Sequence, residues 1–194
     1  STTGGETWNA ATLNPTTTAT FVGLAGDGNG TWVAGATGEK LYISTDDGRT
    51  WNEATVDYTS SATATYIHVA YRYDVDLDQH HWIATTDGYK GTKIYAYSSD
   101  GVTWTAYDSG SSYIPISSCY DDATGTWLMS RDYPAELSRS TDDGVTWDFA
   151  WDNYCPGFSS ARRADNGDGR IVAAAGNRYA YSRDGGVSWT DATA

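Results

Sequence analysis

An all-β chain folded as a β-propeller of four-stranded antiparallel blades is what this 194-residue sequence predicts. Three observations lead there. A short phrase ending in tryptophan returns five times; each period between those tryptophans holds alternating apolar and polar runs broken by Gly/Asp turns; and no segment of useful length follows the helical period. The phrase reads Ser44-Thr-Asp46-Asp-Gly48-Arg-Thr50-Trp51, Ser98-Ser-Asp100-Gly101-Val-Thr103-Trp104, Ser140-Thr-Asp142-Asp-Gly144-Val-Thr146-Trp147 and Ser182-Arg-Asp184-Gly-Gly186-Val-Ser188-Trp189. A fainter copy, Ser1 to Trp8, carries Thr3 where the acid should stand. A fixed period of this size marks a stacked or radial repeat.

The period ending at Trp51 shows how a blade is assembled. Strand a is expected at Thr20 to Ala25, a turn at Asp27-Gly-Asn-Gly30, strand b at Thr31 to Ala36 and strand c at Lys40 to Ser44. The phrase makes the next turn, and strand d starts near Thr50. Strand b returns at His81 to Ala84, Thr126 to Met129 and Arg170 to Ala173; strand c returns at Lys93 to Tyr97, Glu136 to Ser140 and Arg178 to Ser182. Four strands per period make a propeller blade. Four complete blades fit after Thr12, while the N-terminus supplies only an outer strand d around Trp8, expected to join an edge or the last blade. Closing five blades would require swapped or additional strands. Residues 1–194 are read as one domain.

Composition narrows the function classes. Twelve basic against 25 acidic residues give a formal charge of −13, which repels phosphate backbones and speaks against nucleic-acid partners. No run approaches the ~20 apolar residues of a membrane span, so membrane insertion is not expected. The N-terminus lacks the charged-then-apolar pattern of a signal peptide. Cys119 and Cys155 are the two cysteines, too few for a disulfide framework, and whether they pair is open.

Within the phrase, the Asp is placed to accept hydrogen bonds from its own turn, and the Gly supplies the positive φ needed there. The Trp that follows is large enough to wedge between sheets. A catalytic site is needed once, so fivefold recurrence makes Asp46, Trp51, Asp100, Trp104, Asp142, Trp147, Asp184 and Trp189 structural. The phrase resembles the Asp-box, or bacterial neuraminidase repeat, Ser-x-Asp-x-Gly-x-Thr-Trp, found in sialidases, xyloglucan-cleaving glycosidases, sortilin-type receptors, photosystem assembly factors and bacteriophage proteins. Three copies keep the full spacing and the Trp104 copy lacks one residue before Gly101. The resemblance implies a propeller whose boxes face away from the ligand, and its style is closest to phage and environmental repeat proteins.

An enzyme is not expected. A sialidase would carry an Arg-Ile-Pro motif near its start, and none occurs. Asp132 and Glu136 form the best glycosidase-like pair, although a polar b–c turn explains them better and no third group accompanies them. Asp74, Asp76 and Asp78 are spaced like the front of a calcium loop, but Gln79 stands where its glycine belongs, so no cofactor is assigned beyond that one calcium candidate. His68, His80 and His81 define no zinc geometry.

Strand alternation gathers the d–a and b–c connections on one face: Asn52 to Thr65, Thr85 to Thr92, Tyr107 to Tyr113, Arg131 to Glu136 and Asp148 to Cys155. The candidate ligand residues there are Tyr89, Tyr107, Asp132, Tyr133, Trp151, Asn153 and Tyr154. Aromatic faces with neighbouring Asp and Asn suit sugar rings and their hydroxyls, and equally suit a protein surface. The sequence therefore points to a non-enzymatic binding module, extracellular or virion-associated, for a glycan or protein surface. The alternatives are a structural or assembly propeller joining a neighbour through its N-terminal strand, and a glycoside hydrolase.

Overall fold

Short segments, each stopped by a glycine or aspartate turn, produce four antiparallel sheets in the computed structural model, and several of the middle strands are buried on both faces. The structure describes residues 6–57, 65–74, 77–86, 95–107, 115–121, 124–131, 136–152, 158–163, 170–175 and 178–192. The first blade holds β1 (Thr12–Asn14), β2 (Phe21–Gly26), β3 (Trp32–Ala36), β4 (Lys40–Ser44) and β5 (Thr50–Glu53). The second holds β6 (Thr55–Val56), β7 (Tyr66–Asp74), β8 (Gln79–Thr86), β9 (Tyr95–Ser98) and β10 (Thr103–Tyr107). The third is β11 (Pro115–Asp121), β12 (Thr126–Arg131), β13 (Glu136–Ser140) and β14 (Asp148–Asp152); the fourth is β15 (Phe158–Arg163), β16 (Ile171–Ala175), β17 (Arg178–Ser182) and β18 (Thr190–Ala192). Within each blade the a, b, c and d strands pair in that order, and the a strands β2, β7, β11 and β15 pack in succession along the inside. This is a β-propeller arrangement of four-stranded blades.

Pairing register aligns the blades residue by residue. Trp32 pairs with Ser44, Trp82 with Ser98, Trp127 with Ser140 and Ile171 with Ser182, so these four b-strand positions are equivalent. The next residues are Val33, Ile83, Leu128 and Val172, which point to the opposite face. A core cluster fills the space between the first two blades with Val33, Leu41 and Ile43 from one side and Trp82, Ala84, Ala96, Trp104 and Ala106 from the other.

The recurring turn closes each inter-blade seam. A Cβ on Gly101 would come within 2.9 Å of Ile43 Cδ1 and 3.3 Å of Val33 Cγ2. One on Gly144 would lie 2.8 Å from Ile83 Cδ1, and one on Gly186 2.7 Å from Leu128 Cδ2. Each of these glycines is thus seated on a hydrophobe of the preceding blade, while its positive φ makes the turn itself.

Two expectations need correction. The N-terminal strand forms at Thr12–Asn14, not around Trp8, and takes the edge placement of the two expected, adding in parallel to β5 of the first blade. Trp8-Asn9-Ala10-Ala11-Thr12-Leu13 repeats Trp51-Asn52-Glu53-Ala54-Thr55-Val56. Thr12 N–H donates to Arg49 O as Thr55 N–H donates to Val102 O, both at 2.8 Å, so β1 joins its blade as β6 joins the next. Trp8 is 78 % exposed. The second correction concerns Trp151, expected in a loop: it lies in β14 with Leu137 as its register partner, because the alternating Asp148–Asp152 segment continues the sheet past a bulge.

Gly144→Ala is expected to destabilise the protein by about 2–4 kcal/mol, combining left-handed strain with a clash against Ile83. Gly28→Ala, at similar φ with nothing within 4 Å of its Cβ, bears the strain alone, about 1–2 kcal/mol. Equal losses in denaturant unfolding would overturn the seam assignment.

Candidate functional site

The two ends of the sheets differ because the strands alternate in direction. The a–b and c–d turns lie at one end, and the d–a and b–c connections at the other.

At the turn end the recurring phrase satisfies itself. Ser44 Oγ–H donates to Asp46 Oδ1 at 2.8 Å, Gly48 N–H to Ser44 Oγ at 2.9 Å, Thr50 N–H to Asp46 Oδ1 at 2.8 Å, and Trp51 Nε1–H to Gly48 O at 3.0 Å. The Asp100, Asp142 and Asp184 turns repeat the pattern. Asp142 and Asp184 also accept from Thr146 and Ser188 hydroxyls at 2.5 Å. Bonds from Thr50 N–H and Ser44 hold the Asp46 carboxyl below the ordinary carboxylate range. For Asp100, Asp142 and Asp184, burial pushes the other way, but the hydrogen bonds together outweigh it and the net direction is down.

A polar clamp ties the second blade to the third at the same end. Arg72, 8 % exposed, donates from Nη1 to Asp74 Oδ2 at 2.9 Å and from Nη2 to Asp143 of the third blade's turn, with its guanidinium 4.4 Å from the centroid of Tyr120. His81 Nδ1 hydrogen-bonds the Tyr97 hydroxyl at 2.9 Å and lies 3.6 Å from Asp143 Oδ1. Burial pushes the His81 imidazole down while Asp143 opposes it. Burial also works against the Arg72 charge, but its bonds to Asp143 and Asp74 prevail and raise it.

The acids expected to form a calcium loop are divided. Asp74 accepts from Arg72 and from Leu77 N–H at 3.0 Å, and Asp78 accepts from the Tyr73 hydroxyl. Asp76 lies outside the described residues.

At the loop end, Arg131 and Glu136 face each other across the b–c connection of the third blade at 3.1 Å, both nearly buried. Tyr107 sits at the last position of β10, not in a loop; its half-buried ring stacks on Tyr95 at 5.2 Å and 12°. Tyr95 in turn meets Trp147 edge-on at 5.8 Å, and burial pushes its hydroxyl up to about 12. His68 Nδ1 lies 3.3 Å from Ser118 N and 3.4 Å from Ser118 Oγ, joining the inner strands of the second and third blades. Tyr89, Asp132, Tyr133, Asn153, Tyr154 and Cys155 lie outside the described residues, and Trp151 is placed by its backbone alone. The described face thus contributes Tyr107, Arg131, Glu136 and His68.

Sequence reasoning missed an open groove of about 500 Å³ on the first blade, on the face turned away from the second. Leu13, Phe21, Val22, Leu24, Ala34 and Trp51 line it, and Phe21 packs 5.0 Å from Tyr42 and 6.1 Å from Trp51. Strand alternation marked these residues as apolar-facing. It could not show that they line one open groove.

No protein-family model and no curated protein matches the chain. Among solved structures, YCF48 bound to D1 peptide superposes with a TM-score of 0.63 at 16 % identity, over 90 % of this chain and 55 % of that one. YCF48 from Cyanidioschyzon merolae gives 0.58 at 12 %, over 89 % and 56 %. The GH74 enzyme of Niastella koreensis gives 0.57 at 24 %, over 88 % and 24 %. The fold is that of these β-propellers. The chain spans about half the length of the YCF48 structures and about a quarter of the GH74 enzyme.

Thermal stability is expected to depend on acid pH through the four turn acids. Their carboxyls are depressed in the folded state, so the stability they contribute is complete above the unfolded value near ~3.9 and drains as pH falls through their lower folded values. Melting curves across that window should show a steep acid fall that Asp100→Asn/Asp142→Asn makes shallower. An unchanged slope would remove these turns as its source. For the clamp, a double-mutant cycle on Arg72→Ala and Asp143→Ala should return a coupling of about 1–3 kcal/mol, and additivity would contradict the contact.

Proposed function

We propose that this chain is a non-enzymatic binding propeller segment that recognises a surface ligand, a glycan or a protein, through the loop end of its blades. One observation carries this reading: the side chains of the four recurring turns are spent on one another at the opposite end, so the Asp carboxylates and Trp N–H groups there are already satisfied. The free chemistry of the fold falls to the connections at the other end, where loops on a rigid scaffold carry function.

The connections carry Tyr89, Asp132, Tyr133, Asn153 and Tyr154, with Trp151 and Tyr107 on the strands that lead into them. Aromatics interleaved with short polar side chains suit a sugar face or a peptide. Glu136, the better described member of the acid pair, is paired with Arg131, which favours a positioning role over proton transfer. A peptide bound to YCF48 shows that a propeller of that type takes a protein ligand, which supports the protein arm of the reading. The resemblance of the turns to the Asp-box supports an extracellular or virion-associated setting.

Glycan and peptide arrays probed with the purified chain are expected to give one class of ligand. Trp151→Ala with Tyr154→Ala should weaken that binding by about 30-fold or more, the loss typical of an aromatic hot spot, while Glu6→Gln leaves it unchanged. No signal on either array, or binding that survives the aromatic variant, would sink the proposal. Turnover of fluorogenic β-glucans or sialosides that disappears in Asp132→Asn would replace it with an enzyme.

A further inference from the structure

The seam between the second and third blades is filled differently from the one before it. Val33, Leu41 and Ile43 meet Trp82, Ala84 and Trp104 in the apolar cluster of the first seam. In the second seam, Ile83, Tyr95 and Met129 supply the apolar contacts, and polar groups are buried beside them. Arg72 Nε, His81 Nε2, Thr85 Oγ1 and Trp127 Nε1 are enclosed there with no hydrogen-bond partner among the described residues. Strand alternation puts His81 and Thr85 on the face of β8 that carries Ile83, and Trp127 on the face of β12 that carries Met129. Enclosed polar groups without partners weaken a seam relative to apolar filling.

The polar cluster of this seam occupies repeat positions that hold other residues in the neighbouring blades. Pairing register aligns Arg72 with Asp27 and Asp121, His81 with Thr31 and Thr126, and Tyr97 with Ile43. Asp143 aligns with Asp47 and Gly185 in the other turns. The exchange of threonine for histidine is the one that bears on protons. A hydroxyl gains no charge near neutral pH, whereas an imidazole does.

His81 is 2 % exposed and is faced by Arg72 and Asp74 from β7, Tyr97 from β9, His80 on its own strand and Asp143 from the third blade's turn. Its Nδ1 lies 2.9 Å from the Tyr97 hydroxyl, while Asp143 Oδ1, at 3.6 Å, is too far for a hydrogen bond. With the Tyr97 hydroxyl as donor, neutral His81 accepts at Nδ1 and carries its proton on Nε2. A second proton, at Nδ1, turns that acceptor into a donor, and the bond from Tyr97 is lost. Asp143 Oδ1 already accepts from Arg72, so the new imidazolium would share that carboxylate with a guanidinium. Burial keeps His81 neutral; Asp143 pulls the other way, and Arg72 adds to burial.

We infer that the seam between the second and third blades is a proton-sensitive joint: uptake of a proton at His81 loosens it, while the apolar seam between the first and second blades stays shut. Opening lets water reach His81 and returns it to its ordinary titration near ~6.5. Because the imidazole is depressed in the closed seam, closure is fully favoured above ~6.5 and loses ground as pH falls from there through the lower folded value. This window lies above the one near ~3.9 in which the turn acids act.

Met129, the single methionine of the chain, is a built-in reporter, since it is fully buried and packs on Tyr95 across this seam. Leu41→Met adds a second reporter to the first seam with little change of volume. Hydrogen peroxide transfers one oxygen to a thioether, giving the sulfoxide and water, and reaches a buried one when its surroundings open. In Leu41→Met, peptide mass is expected to show oxidation at position 129 accelerating about tenfold between pH ~7.5 and ~5.5, with position 41 nearly unchanged. His81→Asn, which keeps an acceptor for Tyr97 and takes up no proton, should abolish the acceleration, and His80→Asn should retain it. The imidazole resonances of the unaltered chain give a check that needs no variant: one of its three histidines should titrate below ~6.5, in step with the Met129 rate. Oxidation of Met129 that is flat with pH, equal acceleration at both positions, acceleration that survives His81→Asn, or no histidine titrating below its ordinary range would each overturn the inference.

Discussion

A glycine pressed against a neighbour's hydrophobe holds this propeller together. The turn between strands c and d must come close enough to the preceding sheet that a Cβ on Gly101, Gly144 or Gly186 would overlap Ile43, Ile83 or Leu128. That approach has two requirements: a left-handed residue without a side chain, and a fixed turn behind it. The Ser, Asp and Trp of the phrase meet the second, since serine and aspartate accept from the Gly48 and Thr50 N–H groups while the indole N–H binds the glycine carbonyl. Burying an Ile or Leu side chain at each seam contributes on the order of 1.5–3 kcal/mol. The phrase is therefore a docking device whose polar part keeps its apolar part in position.

Polar residues adapt around that fixed contact. Where the third blade's turn carries Asp143, the strand before it presents Arg72. Where the fourth blade has Gly185 in place of that acid, the facing strand ends in the buried Asp121, which accepts from Thr124 at 2.6 Å instead. Seams of one backbone design thus differ in charge, and charge gives each blade a preference for its own neighbour. The same logic separates the ends of the fold: at the turn end the side chains of the phrase are consumed in holding turns, and the proposed recognition is therefore assigned to the connections opposite.

The candidate site was only partly legible in the sequence. Tyr107 and Trp151 were recognisable as aromatics near the loop end, but their membership of β10 and β14 depends on where each sheet stops pairing, and a bulge between Leu137 and Ser138 carries β14 further than its turn residues suggest. Arg72 has no local sequence signal of its role, because Asp143, its partner, is 71 positions away. The groove beside Leu24 had no sequence signal of its own, since a strand facing a neighbouring blade and a strand facing solvent carry the same alternation.

By itself, the sequence determined the period, the four-strand blade and the role of the recurring phrase, because these follow from local rules: period-two alternation, positive φ at glycine, and short-range hydrogen bonds from aspartate and serine. Strands β4, β13 and β17 were placed to the residue for that reason. Tertiary structure alone decided where the N-terminal strand pairs and which hydrophobe receives each glycine. Those outcomes rest on contacts between residues tens of positions apart, which leave no mark on any one stretch of sequence.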